Sequence, residues 1–150
     1  MMYSTRQMKV EDLPDILELI SEFKDESLGE YGISSIAANF RDIIGNYVDL
    51  SRVLVFEGKV VGVIAGFQAI PIGCTERAFQ EVVWFVSKKH RRRGVKLYRD
   101  MEKVCIEKGL KYMLMGHMGN LKAEKLGQFY KAMGYKVLEI QYIKTIGGQK

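Results

Sequence analysis

The stretch Glu81-Val82-Val83-Trp84-Phe85-Val86-Ser87-Lys88-Lys89-His90-Arg91-Arg92-Arg93-Gly94-Val95-Lys96-Leu97-Tyr98 decides how the rest of the chain reads. Its opening part is apolar and aromatic, as a buried central strand is. Six basic-type residues then run unbroken from Lys88 to Arg93, and a glycine follows. Beyond it, Leu97, Tyr98, Met101, Val104 and Cys105 recur at the spacing of one helical face. A strand thus passes through a basic turn into a helix. At such a junction successive backbone N–H groups face a concavity and the helix N-terminus carries partial positive charge, so a pyrophosphate would be held there. Arginine and lysine side chains add charge-assisted bonds. Two other readings of Lys88–Arg93 compete: a solvated loop, and a nucleic-acid patch. Against the latter, no aromatic stacking platform accompanies the run.

Working outward, Gly109 is placed to end the helix, Lys111 to Met115 reads as a strand, and Leu126, Phe129, Tyr130 and Met133 mark a helix stopped by Gly134. Tyr135 to Thr145 reads as a last strand, and 147–150 as a frayed tail. Upstream, Arg52–Phe56 and Val60–Ala69 form a hairpin across Glu57-Gly58-Lys59, with Gly62 and Gly66 marking a bulge or close packing. Helix one is expected over about 12 to 24 with Asp12 as N-cap and Pro14 in the first turn. A weaker helical pattern follows in Ile33, Ile36, Ala37, Phe40, Ile43 and Ile44, closed by Gly45-Asn46. The expected order is β-α-α-β-β-β-α-β-α-β, one α/β domain over 1–150 with no linker.

With 150 residues, 47% hydrophobic and 27% charged, the chain has the composition of a soluble globular domain. It lacks a bilayer-length apolar run and, over Met1–Arg6, an apolar signal region, so no membrane partner and a cytoplasmic setting are expected. Cys74 and Cys105 stand 31 positions apart and read as buried free thiols; with His90 and His117 they make no zinc spacing, so no metal is expected. Lys plus Arg number 23 against 18 Asp plus Glu, a net charge of +5 that favours an anionic ligand, an acidic protein surface or nucleic acid.

The segment Phe85 to Gly94 resembles the acetyl-CoA signature of the GNAT N-acetyltransferase superfamily, a strand ending in valine followed by R/Q-x-x-G-x-G/A. Arg91 stands at the R/Q place and Gly94 at the first glycine, whereas Lys96 replaces the second small residue. Phe129-Tyr130-Lys131-Ala132-Met133-Gly134-Tyr135 is similar to the family's F/L-Y-x-x-x-G-F/Y segment, 39 residues on from Arg91 to Tyr130, and Arg6 to Pro14 resembles a GNAT opening. Trp84-Phe85-Val86, the missing second glycine and the tail Glu139 to Lys144 resemble GNAT proteins encoded by bacteriophages and prophages, for which the compartment is the host cytoplasm.

The resemblance implies a mixed sheet whose strand 81–86 splays from strand 111–115, with pantetheine in the gap. Trp84, Phe85 and Val86 would meet pantetheine through their backbone, an N–H of this strand would hold the thioester oxygen, and the pyrophosphate would sit on Arg92, Arg93, Gly94, Val95, Lys96 and Leu97 beside Arg91. It implies direct acetyl transfer from acetyl-CoA to a primary amine. Glu81 is the candidate base, acting directly or through a water, or else a solvent-facing or salt-bridged strand residue. Strand alternation puts Glu81 and Gln80 on opposite faces, and a bulge would exchange them. Tyr130 resembles the family tyrosine that protonates the departing CoA thiolate, and its spacing also suits a core tyrosine. Glu139 and Tyr142 read as a strand pair or as lining for the acceptor. The acceptor stays open among a protein lysine, an N-terminal amine, a polyamine, an aminoglycoside and an aminoacyl-tRNA; a homodimer is a further partner the family resemblance allows. Lys96 keeps a catalytically degenerate GNAT-fold binding protein as an alternative, and Lys88–Arg93 a nucleic-acid binder.

Overall fold

The computed structural model describes residues 2–29, 40–119 and 123–147. They fall into two compact units, one within 1–23 and 36–116 and the other within 24–35 and 117–150.

In the first unit five strands lie side by side in chain order: β1 (Tyr3–Arg6), β2 (Ser51–Phe56), β3 (Lys59–Ala69), β4 (Ala78–Val86) and β5 (Tyr112–Leu114). The first four are antiparallel. The fifth is parallel to β4, reached by a crossover through the helix α3 (Gly94–Glu107). Helices α1 (Leu13–Phe23) and α2 (Phe40–Gly45) lie between β1 and β2 in the chain. On one face of the sheet Ile16 and Leu19 of α1 join Val53, Val63, Ala65, Val83 and Phe85 in a buried core. Helix α3 packs on β2 and β3. It buries Leu97, Tyr98, Met101 and Cys105, the face its spacing predicts, and Gly109 follows it with φ 76°.

Glu57 (φ 50°) and Gly58 (φ 82°) turn the β2–β3 hairpin in two residues, so Lys59 belongs to β3 and not to the turn. Helix one is where the spacing predicts it, but Asp12 is not its N-cap. Asp12 ends a short 3-10 turn, Val10–Asp12, where its carboxylate accepts both Arg6 guanidinium nitrogens at 2.8 Å and the Lys9 N–H at 2.8 Å. Burial pushes this carboxyl up, but the Arg6 and Lys9 bonds outweigh it and hold it below the usual aspartate range. Of the second expected helix, Ile33, Ile36 and Ala37 lie outside the described residues; the remainder forms α2.

In the second unit α4 (Ala123–Ala132) is the predicted helix, with Gly134 behind it at φ 94°. The strand expected over Tyr135–Thr145 is not formed. β-prone sequence becomes a strand only against a neighbouring edge, and here Ile140 and Tyr142 are 71% and 91% exposed. Of the expected tail, 148–150 lie outside the described residues. Cys105 is buried, as expected, but Cys74 is exposed, because it leaves a 3-10 turn, Pro71–Gly73, in the connection before β4.

Candidate functional site: the two ends of strand β4

Strand β4, with the basic turn and the first turn of α3 that follow it, carries most of the residues singled out from the sequence. Ala65 pairs with Val83 but Gly66 with Glu81, so Val82 is an extra residue in β4 and makes a bulge. Gly66 makes room for it: a Cβ there would be driven into the Gln80 carbonyl oxygen and lie 2.8 Å from the Phe79 ring. The bulge shifts the alternation by one. Glu81 therefore shares a face with Gly66 and Phe79, and Gln80 with Phe67, which is the exchange weighed from the sequence.

Strands β4 and β5 pair over three rungs, Ala78 with Tyr112, Phe79 with Met113 and Gln80 with Leu114. From Glu81 onward β4 keeps its β3 partners and has no β5 rung. The two strands therefore part at Glu81. There Glu81 Oε1 accepts the Gly116 N–H at 3.0 Å, and the carboxylate has no cationic partner among the described residues. Burial raises its pKa from 4.5 to about 7, with the Gly116 bond pulling the other way. Such a group is close to half ionised at neutral pH, the condition under which a carboxylate serves best as a proton acceptor.

At the other end the basic run is a 3-10 helix, Lys88–Arg93, running straight into α3, and not the expected loop. Its N–H groups explain why. His90 donates to the Ser87 carbonyl at 2.8 Å, Gly94 donates to Arg91, and Lys88 donates to Glu22 Oε2 at 3.0 Å. The side chains are also engaged. Arg91 Nε donates to the Val86 carbonyl at 3.0 Å, and its guanidinium lies 5.3 Å from the Phe85 ring centre. His90 Nδ1 and the Tyr3 hydroxyl share a 2.8 Å hydrogen bond, and the Arg93 guanidinium sits 4.6 Å from the Tyr3 ring centre. Lys96 Nζ pairs at 3.0 Å with Asp100, which also accepts from Thr5 Oγ1 at 2.6 Å. Arg92 and Val95 are exposed. Phe85, Val86, Gly94 and Leu97 are buried, and Trp84, half-buried, sets its ring 5.6 Å from that of Tyr98.

Tyr130 belongs to the second unit. It is buried, with ring centres of Tyr135 at 5.2 Å, Phe129 at 5.8 Å and a stacked His117 at 6.3 Å. His117 Nδ1 lies 3.0 Å from the Met118 carbonyl, which only accepts, so Nδ1 carries the proton. Glu22, Gly116, Asp100 and Tyr3 were not singled out from the sequence. Glu22 stands 65 positions before Ser87, and no local pattern links such a pair. Among the described residues no group of three or more His, Cys, Asp or Glu could hold a metal ion, and no helix is long and apolar enough to cross a membrane.

A sequence model described as the acetyltransferase (GNAT) family matches residues 13–135. No curated protein matches the chain by sequence. Solved structures do match in fold. One is an aminoglycoside acetyltransferase from an uncultured soil metagenomic sample, at 15% identity and TM-score 0.72 over 98% of this chain and 100% of that one. A second soil metagenomic aminoglycoside acetyltransferase, in complex with sisomicin, has 17% identity and TM-score 0.72 over 97% of each chain. The ribosomal-protein-alanine N-acetyltransferase of Brucella melitensis biovar Abortus 2308 has 12% identity and TM-score 0.74 over 97% of this chain and 100% of that one. At these identities the likeness establishes the fold.

Proposed function

Because the chain belongs to the acetyltransferase (GNAT) family, we propose that it carries an acetyl group directly from acetyl-CoA to a primary amine. The observation that carries this reading is the parting of β4 from β5 at Glu81, with a carboxyl raised to about 7 at the mouth of the opening. The β5 ladder covers only Ala78 to Gln80 of β4, and an extended amide chain such as pantetheine would run beside the strand beyond it. Side chains of Arg92, Arg93 and Lys96 would hold the phosphates, since the N–H groups of Lys88, His90 and Gly94 are committed within the chain. The match running from 13 to 135 supports reading both units as one acetyltransferase domain.

At neutral pH on the order of one alkyl amine in a thousand is uncharged, so a base is needed. In this reading Glu81 takes a proton from the ammonium, and the amine nitrogen attacks the thioester carbonyl carbon. A backbone N–H of β4 holds the oxygen as charge develops on it. The carbon–nitrogen bond forms, the carbon–sulfur bond breaks, and Tyr130 protonates the sulfur. Two protons leave the ammonium in all: one goes to Glu81, and the second balances the one delivered to sulfur. The role of Tyr130 rests on its place in the Phe129–Tyr135 segment.

The names of the structural neighbours, which act on aminoglycosides and on a ribosomal-protein alanine, support an amine acceptor. The net charge of +5 favours an acidic macromolecule over a free polyamine. Likeness to phage- and prophage-encoded members, and a host-cytoplasm setting with it, rests on Trp84 to Val86, Lys96 and 139–144 alone. A second reading, a binding protein on the same fold, is favoured by Lys96 and by the committed N–H groups of the turn. Calorimetry with acetyl-CoA, followed by mass spectrometry of a panel of amines, separates the two. Saturable binding with acetylated product is expected. Binding without turnover supports the second reading, and absence of binding ends the first.

A further inference from the structure

Glu22 stands near the end of α1, which runs straight on into a π-helical turn, Lys24–Leu28, and its carboxylate finds its partners outside the helix. What holds it is the turn after β4. Its Oε1 accepts the Ser87 hydroxyl at 3.0 Å, its Oε2 accepts the Lys88 N–H at 3.0 Å, and Arg91 Nη2 lies 4.0 Å from Oε2. Arg91 is thereby braced on three sides: by Glu22, by the Val86 carbonyl and by the Phe85 ring. The Ser87 N–H adds a bond to the Val61 carbonyl at 2.9 Å.

We propose that Glu22 is a positioning residue for the acetyl-CoA site, fixing from α1 the turn that presents Arg92, Arg93 and Lys96. This rests on the reading that the turn holds the CoA phosphates. Electrostatic repulsion alone acts the other way, because a carboxylate this near a phosphate site repels the ligand and its removal tightens binding. Positioning and repulsion therefore predict opposite signs for the same substitution.

The test is calorimetry of CoA binding to the full chain. Glu22→Ala removes both hydrogen bonds and is expected to raise Kd about tenfold, the weight of one bond to a charged group. Glu22→Gln keeps the length, an acceptor for the Lys88 N–H and a partner for the Ser87 hydroxyl, so it should bind within about threefold of wild type. Ser87→Ala removes one bond and should weaken binding about threefold, which keeps the proposal open to refutation even if Glu22→Ala fails to fold. Wild type that binds CoA while Glu22→Ala binds equally or more tightly overturns the positioning role alone. An unchanged Kd in Ser87→Ala does the same. Wild type that does not bind CoA overturns both this proposal and the acetyl-CoA reading beneath it.

Discussion

The two ends of β4 handle charge in opposite ways. At Glu81 a single half-buried carboxyl has no cationic partner among the described residues, and desolvation pushes its pKa up to about 7. Seven residues later a dense run of cations is spread over the surface and braced by Glu22, Tyr3, the Val86 carbonyl and the Phe85 ring. Desolvation without compensation makes a group reactive, whereas paired and exposed charge makes a surface that binds. In the proposed function one strand thus sets a proton acceptor at the head of its open stretch and an anion-holding turn at its end. Breaking the first end should abolish chemistry and spare binding. Breaking the second should do the reverse.

The largest effect belongs to Glu81→Gln. Loss of a positioned general base costs about 10²- to 10⁴-fold in turnover, while CoA affinity should stay within a factor of about two. The base form is the carboxylate, so wild-type kcat/KM should climb as pH rises through about 7 and level off above it. The variant should lack that limb. Turnover in Glu81→Gln within about tenfold of wild type, with the limb still present, would remove Glu81 from the mechanism.

Next come the glycines at the two ends. Gly66→Ala forces a methyl into the Gln80 carbonyl and should cost about 3 kcal/mol, read by denaturant unfolding. Gly94→Ala places a methyl 3.6 Å from Val86 Cγ2, an ordinary contact, so its stability should stay within about 1 kcal/mol of wild type. If Gly94 serves ligand approach and not folding, Gly94→Ala should weaken CoA binding in a chain that unfolds normally. Equal losses of stability in both variants would erase the contrast.

How much of this was legible in the sequence follows from the range of the forces involved. The strand, turn and helix from Ala78 to Glu107 were readable because apolar periodicity and Gly109 are local signals. The bulge was half readable: Gly66 flagged it, but which residue is extra depends on pairing with β4. The Glu81 pKa was not readable, because desolvation is set by how the chain packs around the carboxyl. The 3-10 form of the basic run was hidden for the same reason, since the acceptor for its first N–H comes from Glu22, 66 positions away. The segment Tyr135–Thr145 shows the converse failure. Its β-rich composition is a real strand signal, yet no ladder partner takes it up among the described residues, so propensity stays unrealised.

The smallest effect tests the residue that departs from the signature. Lys96 stands where a small residue is expected, and its ammonium is held at 3.0 Å by Asp100, which Thr5 fixes in place and Lys103 approaches at 3.9 Å. In the free chain Lys96 therefore spends its charge on its own helix. Neutralising the partner with Asp100→Asn keeps a hydrogen-bonding group for Thr5 and releases the ammonium toward the ligand. An exposed i,i+4 pair is worth about 0.3–0.5 kcal/mol, so CoA should bind about twofold more tightly in the variant at low salt. The gain should fade as ionic strength rises and the Debye length contracts to about 3 Å at 1 M. It should also vanish when Lys96→Ala is added, because the released charge is then gone. A gain that survives in Lys96→Ala would mean that Asp100 itself repels the ligand, and Lys96 would then have no part in holding phosphate.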